Sequence, residues 1–109
     1  MAHPRFKISD SSGGQFTFNL TASNGETILS SERYASRDGA KSGIAAVKTN
    51  APIDERYVRK EAKNGQLYFV LRSSNSEVIG TSELYASAAG CEGGIASVKT
   101  NAPLAGVEG

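Results

Sequence analysis

The chain has 109 residues, with 12 Lys+Arg against 11 Asp+Glu, one Cys, one His and no Trp. A net charge of +1 disfavours a strongly basic nucleic-acid binder or an acidic tail protein as a whole-chain reading. Ordinary hydrophobicity excludes disorder, and a single Cys can neither close an internal disulfide nor build a Cys-rich zinc site. The longest apolar runs are a few residues, far short of the roughly 20 needed to cross a bilayer as a helix.

Met1-Ala2-His3-Pro4-Arg5 lacks the apolar stretch of a signal peptide. With a lone unpaired thiol, this predicts a cytoplasmic location. Phe6-Lys7-Ile8 alternates as a half-buried strand does, and Ser11-Ser12-Gly13-Gly14 reads as a turn. Phe16, Phe18 and Leu20 then share one face of a second strand, with Gln15, Thr17 and Asn19 on the other. Asn24-Gly25 signals a hairpin because both residues tolerate positive φ. Glu26 to Ser30 makes a third strand. Ser36 caps a helix that runs to about Asn50, and Pro52 lies just past its end. Ala40, Gly43, Ile44, Val47 and Ala51 fall at the spacing of a core stripe, while Arg37, Asp38, Lys41, Lys48 and Thr49 face away.

The same order of elements then returns with an offset of 51. From Gly14 to Pro52, 23 of 39 ungapped positions are identical to Gly65–Pro103. Gln15 to Leu20 recurs as Gln66 to Leu71, Ser31-Glu32-Arg33-Tyr34 as Ser82-Glu83-Leu84-Tyr85, and Gly43 to Pro52 as Gly94 to Pro103. Cys91, Gly94, Ile95, Val98 and Ala102 form the second core stripe. Tyr57 aligns with Phe6 but Arg59 with Ile8, which leaves the face of that strand open. About 50 residues bury too little surface to be comfortably stable alone. The expected fold is therefore α+β: tandem β-β-β-α(-β) repeats forming one shared, mainly antiparallel sheet, two helices packed on it, and internal pseudo-two-fold symmetry. Residues 1–109 form a single domain, with repeats over about 5–53 and 56–104 and a flexible tail at 105–109.

Asn24-Gly25-Glu26-Thr27-Ile28, Ser31-Glu32 with Tyr34, Gly43-Ile44 with Val47-Lys48, Asn50-Ala51-Pro52 and Asp54-Glu55-Arg56-Tyr57 resemble the YegP-like family of bacterial tandem-repeat proteins, as do Asn64-Gly65 and Tyr68-Phe69. The resemblance covers nearly the whole chain. It implies β-β-β-α-β units joined in one sheet with exchange of the C-terminal strands. It also implies a domain of unknown function with no catalytic residues to carry over. Two features depart from the family pattern: Asn75-Ser76 replaces the Asn-Gly turn of the first repeat, and Cys91 with Gly93-Gly94 makes the second helix unusual.

The candidate binding surface is Glu32, Tyr34, Glu83, Tyr85 and Tyr68. The two Ser-Glu-x-Tyr segments read either as a polar binding rim or as strand-to-helix connections in which Tyr packs at the core margin and Glu bonds backbone donors; the duplication favours the structural role. Lys48 to Pro52 and its copy lie at helix C-termini, where a lysine helps the helix rather than binding phosphate. Asn50 and Asn101 are expected to end the helices in the left-handed conformation. Arg37, Lys41 and Lys48 form a basic stripe that the second repeat, with Ala88, Glu92 and Lys99, does not copy. Two glycines in each helix, Gly39 and Gly43 with Gly90 and Gly94, point to close approach of another backbone, of the sheet or the other helix, the alternative being a ligand lying against the helices. Cys91 replaces Ala40 and reads as a buried small hydrophobe, and His3 lies in the N-terminal arm.

These features favour a small non-enzymatic structural or ligand/protein-binding module, without catalytic set, metal site or cofactor. The alternative is a nucleic-acid-associated domain using exposed Arg/Lys and Tyr68. An enzyme would need Glu32/Tyr34 or Glu83/Tyr85 to converge in a cleft. The expected state is a monomer imitating a dimer internally, with further self-association open. The sequence names no ligand.

Overall fold

A computed structural model describes residues 3–11 and 13–108. The chain forms β1 (Arg5–Ser11), β2 (Gln15–Thr21), β3 (Thr27–Ser30), α1 (Arg37–Asn50), β4 (Tyr57–Glu61), β5 (Leu67–Arg72), β6 (Val78–Thr81), α2 (Ala88–Asn101) and β7 (Gly106–Glu108). Both helices start and stop where the sequence predicts. The turn expected over Ser11–Gly14 includes Ser12, which lies outside the described residues.

One seven-stranded sheet runs β4-β5-β6-β3-β2-β1-β7. Apart from β7, this order is palindromic about the β6–β3 junction. There Ser30 pairs antiparallel with Thr81, its own equivalent in the second repeat, so the pseudo-two-fold axis passes through this pair. The shared sheet is a direct answer to unit size, since neither three-stranded unit could cover its core alone. Packing crosses the axis: α1 lies over β1 and β2 but also reaches β5 and β6, while α2 lies over β5 and reaches β3.

The core between helices and sheet is built from matched residues. Phe6, Phe18 and Leu20 of the first repeat are fully buried, as are Phe69 and Leu71 of the second, and Tyr57 is nearly so. Phe6 and Phe18 meet edge to face at 5.8 Å; Tyr57 and Phe69 repeat the contact at 5.6 Å. Val47 and Val98 close the core from the helices, and Ile44, Ile95, Ala40 and Cys91 join the same cluster.

Several expectations need correction. The segment read as a flexible tail contains β7, which pairs in parallel with β1 of the first repeat; Gly109 lies outside the described residues. The C-terminal strand of the second repeat is thus exchanged onto the first. After α1 the chain instead passes through a short 3₁₀ turn, Asp54–Arg56, straight into β4. Asn50 and Asn101 do not adopt the left-handed conformation. Asn50 is the last residue of α1, and the next residue, Ala51, is still right-handed helical. Asn101 has φ −87°. The Nδ2 of each asparagine donates to the carbonyl four residues back, of Ala46 and Ser97, and Asn50 Oδ1 accepts from Arg56 Nε. These local bonds continue the helical path into the turn, which removes the need for a left-handed stop.

In the Asn24-Gly25 hairpin only Gly25 has positive φ. Gly25 N–H donates to Ala22 O and Ala22 N–H to Glu26 O, the pattern of a three-residue loop closed by a glycine bulge. Ser76 takes the same left-handed position in the second repeat, at φ 71°.

Candidate functional site

The Ser-Glu-x-Tyr segments occupy the break between the third strand of each repeat and its helix. Ser31 N–H donates to Phe18 O, and Ser31 Oγ accepts from Phe18 N–H while donating to Glu32 O. The serine hydroxyl therefore replaces the strand partner that the chain loses as it bends. Three residues after Ser31, Tyr34 and Phe16 exchange both backbone hydrogen bonds at 2.7 Å. Ser82, Phe69, Tyr85 and Leu67 repeat every one of these bonds.

The bend delivers each tyrosine to its own helix. Tyr34 stacks on Phe18 at 6.0 Å and Tyr85 on Phe69 at 6.4 Å, and their hydroxyl ends lie against Gly43 and Gly94. This corrects the reading of the helix glycines: a tyrosine ring, rather than a backbone, makes the close approach. Gly39 and Gly90 serve separately, donating N–H to the capping hydroxyls of Ser36 and Ser87.

The glutamates behave differently. Glu32 and Glu83 are exposed, and among the described residues their carboxylates accept no backbone hydrogen bond, so the expected Glu–backbone contact does not form. They act on the tyrosines through their charge. Burial raises the Tyr34 hydroxyl pKa first, followed by Glu32 and by Glu77 of the other repeat; for Tyr85 burial again leads, with Cys91, Glu83 and Glu26 adding to it. Glu26 and Glu77 are equivalent positions, so each tyrosine feels carboxylates from both repeats. Both hydroxyls therefore stay protonated, as donors, at neutral pH.

Tyr68 is not part of this arrangement. Its neighbours Leu67 and Phe69 pack with the core, so alternation places Tyr68 on the sheet face away from the helices. The same alternation puts Lys7, Lys60 and Arg72 there, together with Arg5, which pairs with Glu108 at 2.9 Å. The candidate residues thus divide between two symmetry-related rims on the helix side and one basic sheet face opposite.

The basic stripe on α1 is also reshaped. Arg37 lies over Phe16, 5.2 Å from its ring centroid, and Lys48 lies over Phe6 at 5.9 Å. Lys41 remains exposed. In the second repeat, Arg59 forms a two-bond ion pair with Glu92, and Asp54 lies 2.7 Å from Lys99 and 3.7 Å from Arg59. This settles the face of β4: Tyr57 and Arg59 both turn toward the helix. Alignment offered no sign of the Arg59–Glu92 pair, because the first repeat has Ile8 and Lys41 at those positions.

Cys91 is 2% exposed, and burial followed by the nearby Glu92 pushes its thiol pKa above the ordinary value. Both conditions suppress thiolate attack. Alkylation of native Cys91 at pH 8 is expected to run on the order of a hundredfold or more below the denatured chain, since it waits on local opening. Equal rates would refute the burial assignment. No helix among the described residues is long and apolar enough to cross a membrane.

Two copies of one β-β-β-α unit, sharing a sheet and each locking a tyrosine against a helix glycine, define a tandem-repeat class. The profile of a domain of unknown function, DUF1508, matches the chain twice, at residues 11–57 and 62–108, and the chain belongs to this YegP-like family. It is 53% identical over 96 residues to the UPF0339 protein YegP of Escherichia coli K12, covering 88% of this chain and 87% of that protein. A UPF0339 protein of Pseudomonas aeruginosa is 46% identical over 103 residues, or 94% of each chain. The solution NMR structure of Escherichia coli YegP, described as a protein of unknown function, superposes with a TM-score of 0.91 at 48% identity, covering 99% of this chain and 93% of that one. A UPF0339 protein from Shewanella oneidensis gives 0.90 at 44% identity, over 96% and 89%.

Proposed function

We propose that the protein is a small non-enzymatic binding module whose duplicated motif maintains the fold and whose surfaces meet the ligand. The observation that carries this reading is the use of the motif itself. Ser31 and Ser82 are tied to backbone, and Tyr34 and Tyr85 are stacked on core phenylalanines. Their glutamates open to solvent rather than into a water-excluding cleft, an arrangement suited to recognition more than to proton transfer.

The test is a thermal-shift screen of metabolites, peptides and oligonucleotides with recovery of each hit. A binding module is expected to gain stability in proportion to ligand concentration and to return the ligand unchanged. A hit recovered in chemically converted form would overturn the reading.

A second reading, nucleic-acid association, draws support from the open sheet face, where Lys7, Lys60 and Arg72 accompany Tyr68. Cations with a stacking ring suit a single strand. Binding of a single-stranded oligonucleotide at low salt is expected to weaken steeply as salt rises and to fall in Tyr68→Ala. Absence of binding at low salt eliminates this reading.

A further inference from the structure

The two repeats differ at one place in a way that identifies what a surface groove accepts. In the first repeat Arg37 opens α1, lies over the Phe16 ring, and brings Nη2 to 3.7 Å from Asp10 Oδ1. The equivalent positions in the second repeat are Ala88, Leu67 and Glu61. The backbone frame is the same: Asp10 faces Phe16 across β1–β2, and Glu61 faces Leu67 across β4–β5. Alanine stands where the first repeat has arginine, and a groove of about 290 Å³ lies beside α2. Its walls include Glu61, Leu67, Ala88, Cys91 and the Arg59–Glu92 pair.

We propose that this groove binds the side chain of an arginine presented by a partner polypeptide. The first repeat supplies the template, since its own arginine lies in the corresponding place. Leu67 provides an apolar surface for the methylene stem. Glu61 replaces Asp10 with a carboxylate one methylene longer, and among the described residues it has no ion-pair partner. Carboxylate and guanidinium match in planar geometry. Lys60 also borders the groove, but alternation places its side chain toward the opposite sheet face. Arg59 is already held by Glu92, with Nη2 to Oε1 at 2.8 Å. In α1 the Arg37 charge at the helix start is accompanied by Asp38; in the second repeat, where Ala89 follows Ala88, Glu61 and Glu92 supply the negative charge beside the groove. Apart from Lys60 at its border, the site lies on the helix side of the sheet, and its test is independent of nucleic-acid binding.

The test is an NMR titration of the full chain with the blocked tripeptide Ac-Gly-Arg-Gly-NH2. Saturable shifts are expected at Glu61, Leu67, Ala88 and Cys91, and the peptide with uncharged citrulline in place of arginine is expected to leave them unmoved. Ala88→Arg supplies in α2 the side chain that α1 already has, and is expected to abolish binding. Glu61→Gln is expected to weaken it about two- to fivefold, the range of an exposed ion pair. The proposal is overturned by the absence of saturable shifts, an equal response to the citrulline peptide, or a folded Ala88→Arg chain that still binds. Inorganic phosphate shifting these residues while the arginine peptide does not would also overturn it. Should Ala88→Arg fail to fold, the citrulline control and Glu61→Gln decide the question.

Discussion

Gly80→Leu is expected to lower the melting temperature sharply, and exchanging it with Leu29 is expected to restore much of the loss. Gly80 and Leu29 are equivalent positions beside the pseudo-two-fold axis. Leu29 is fully buried, and a Cβ built on Gly80 would lie 2.6 Å from Leu29 Cδ2 and 2.7 Å from Cγ. The space next to the axis therefore holds one leucine, and its counterpart must be glycine. A second leucine would overpack a closed core, at a cost of about 1–3 kcal/mol or more. For a domain near this size each kcal/mol corresponds to about 4–8 °C. In the double variant Leu29→Gly/Gly80→Leu, the leucine enters from the other side of the axis, with its volume conserved. The measurement is thermal unfolding of the three chains by circular dichroism. A Gly80→Leu chain that melts with the parent, or a double variant no better than the sum of its single changes, would refute the packing account.

Gly43→Leu is the second large expected effect. A Cβ at Gly43 would meet Tyr34 Oη and lie 2.6 Å from Tyr34 Cζ, with Phe18 Cε2 at 3.0 Å. The ring cannot simply turn aside, because it is stacked on Phe18 and its backbone is pinned to Phe16. The loss is expected to be about 1–3 kcal/mol. Gly43→Ala should show a smaller fall, and adding Tyr34→Phe removes the hydroxyl oxygen nearest the new methyl. The hydroxyl makes no hydrogen bond among the described residues, so Gly43→Ala/Tyr34→Phe is expected to be more stable than additivity predicts. Gly94 and Tyr85 should behave alike, with Cζ again 2.6 Å from the built atom. Strict additivity in both repeats would show that the tyrosine is not what excludes a side chain.

Much of this architecture is legible in the sequence. The 51-residue offset, the Ser36 and Ser87 caps, the hairpins and both core stripes depend on local spacing, which the chain states directly. The glycines were legible as anomalies: two in a helix signal that something approaches. Their partner was not, because Tyr34 reaches Gly43 only after the chain bends at Ser31 and the helix folds back over β2. The Asn50 and Asn101 expectation failed for a related reason. Asparagine is compatible with a left-handed stop, but here its side chain bonds back along the helix, and Arg56 meets Asn50 from beyond the helix end.

The candidate residues divide in the same way. Their duplication marked Glu32, Tyr34, Glu83 and Tyr85 as parts of the repeating unit. Only packing revealed that each tyrosine feels a carboxylate from the opposite repeat, since that effect crosses the axis. Tyr68, a sheet aromatic suited to nucleic-acid contact, lies on the other face of the sheet, where the pleat places it.

The sequence by itself determined a duplicated α+β unit of marginal size, patterned for a shared sheet. Periodicity and capping are properties of neighbouring residues, so they survive without coordinates. The tertiary structure alone decided that β7 pairs in parallel with β1, that only one of two equivalent positions at the axis holds a leucine, and that a groove lies between Ala88 and Glu61 where the first repeat has Arg37. Each of these is a contact between distant segments competing for the same volume, and volume is not written in the spacing of a single chain.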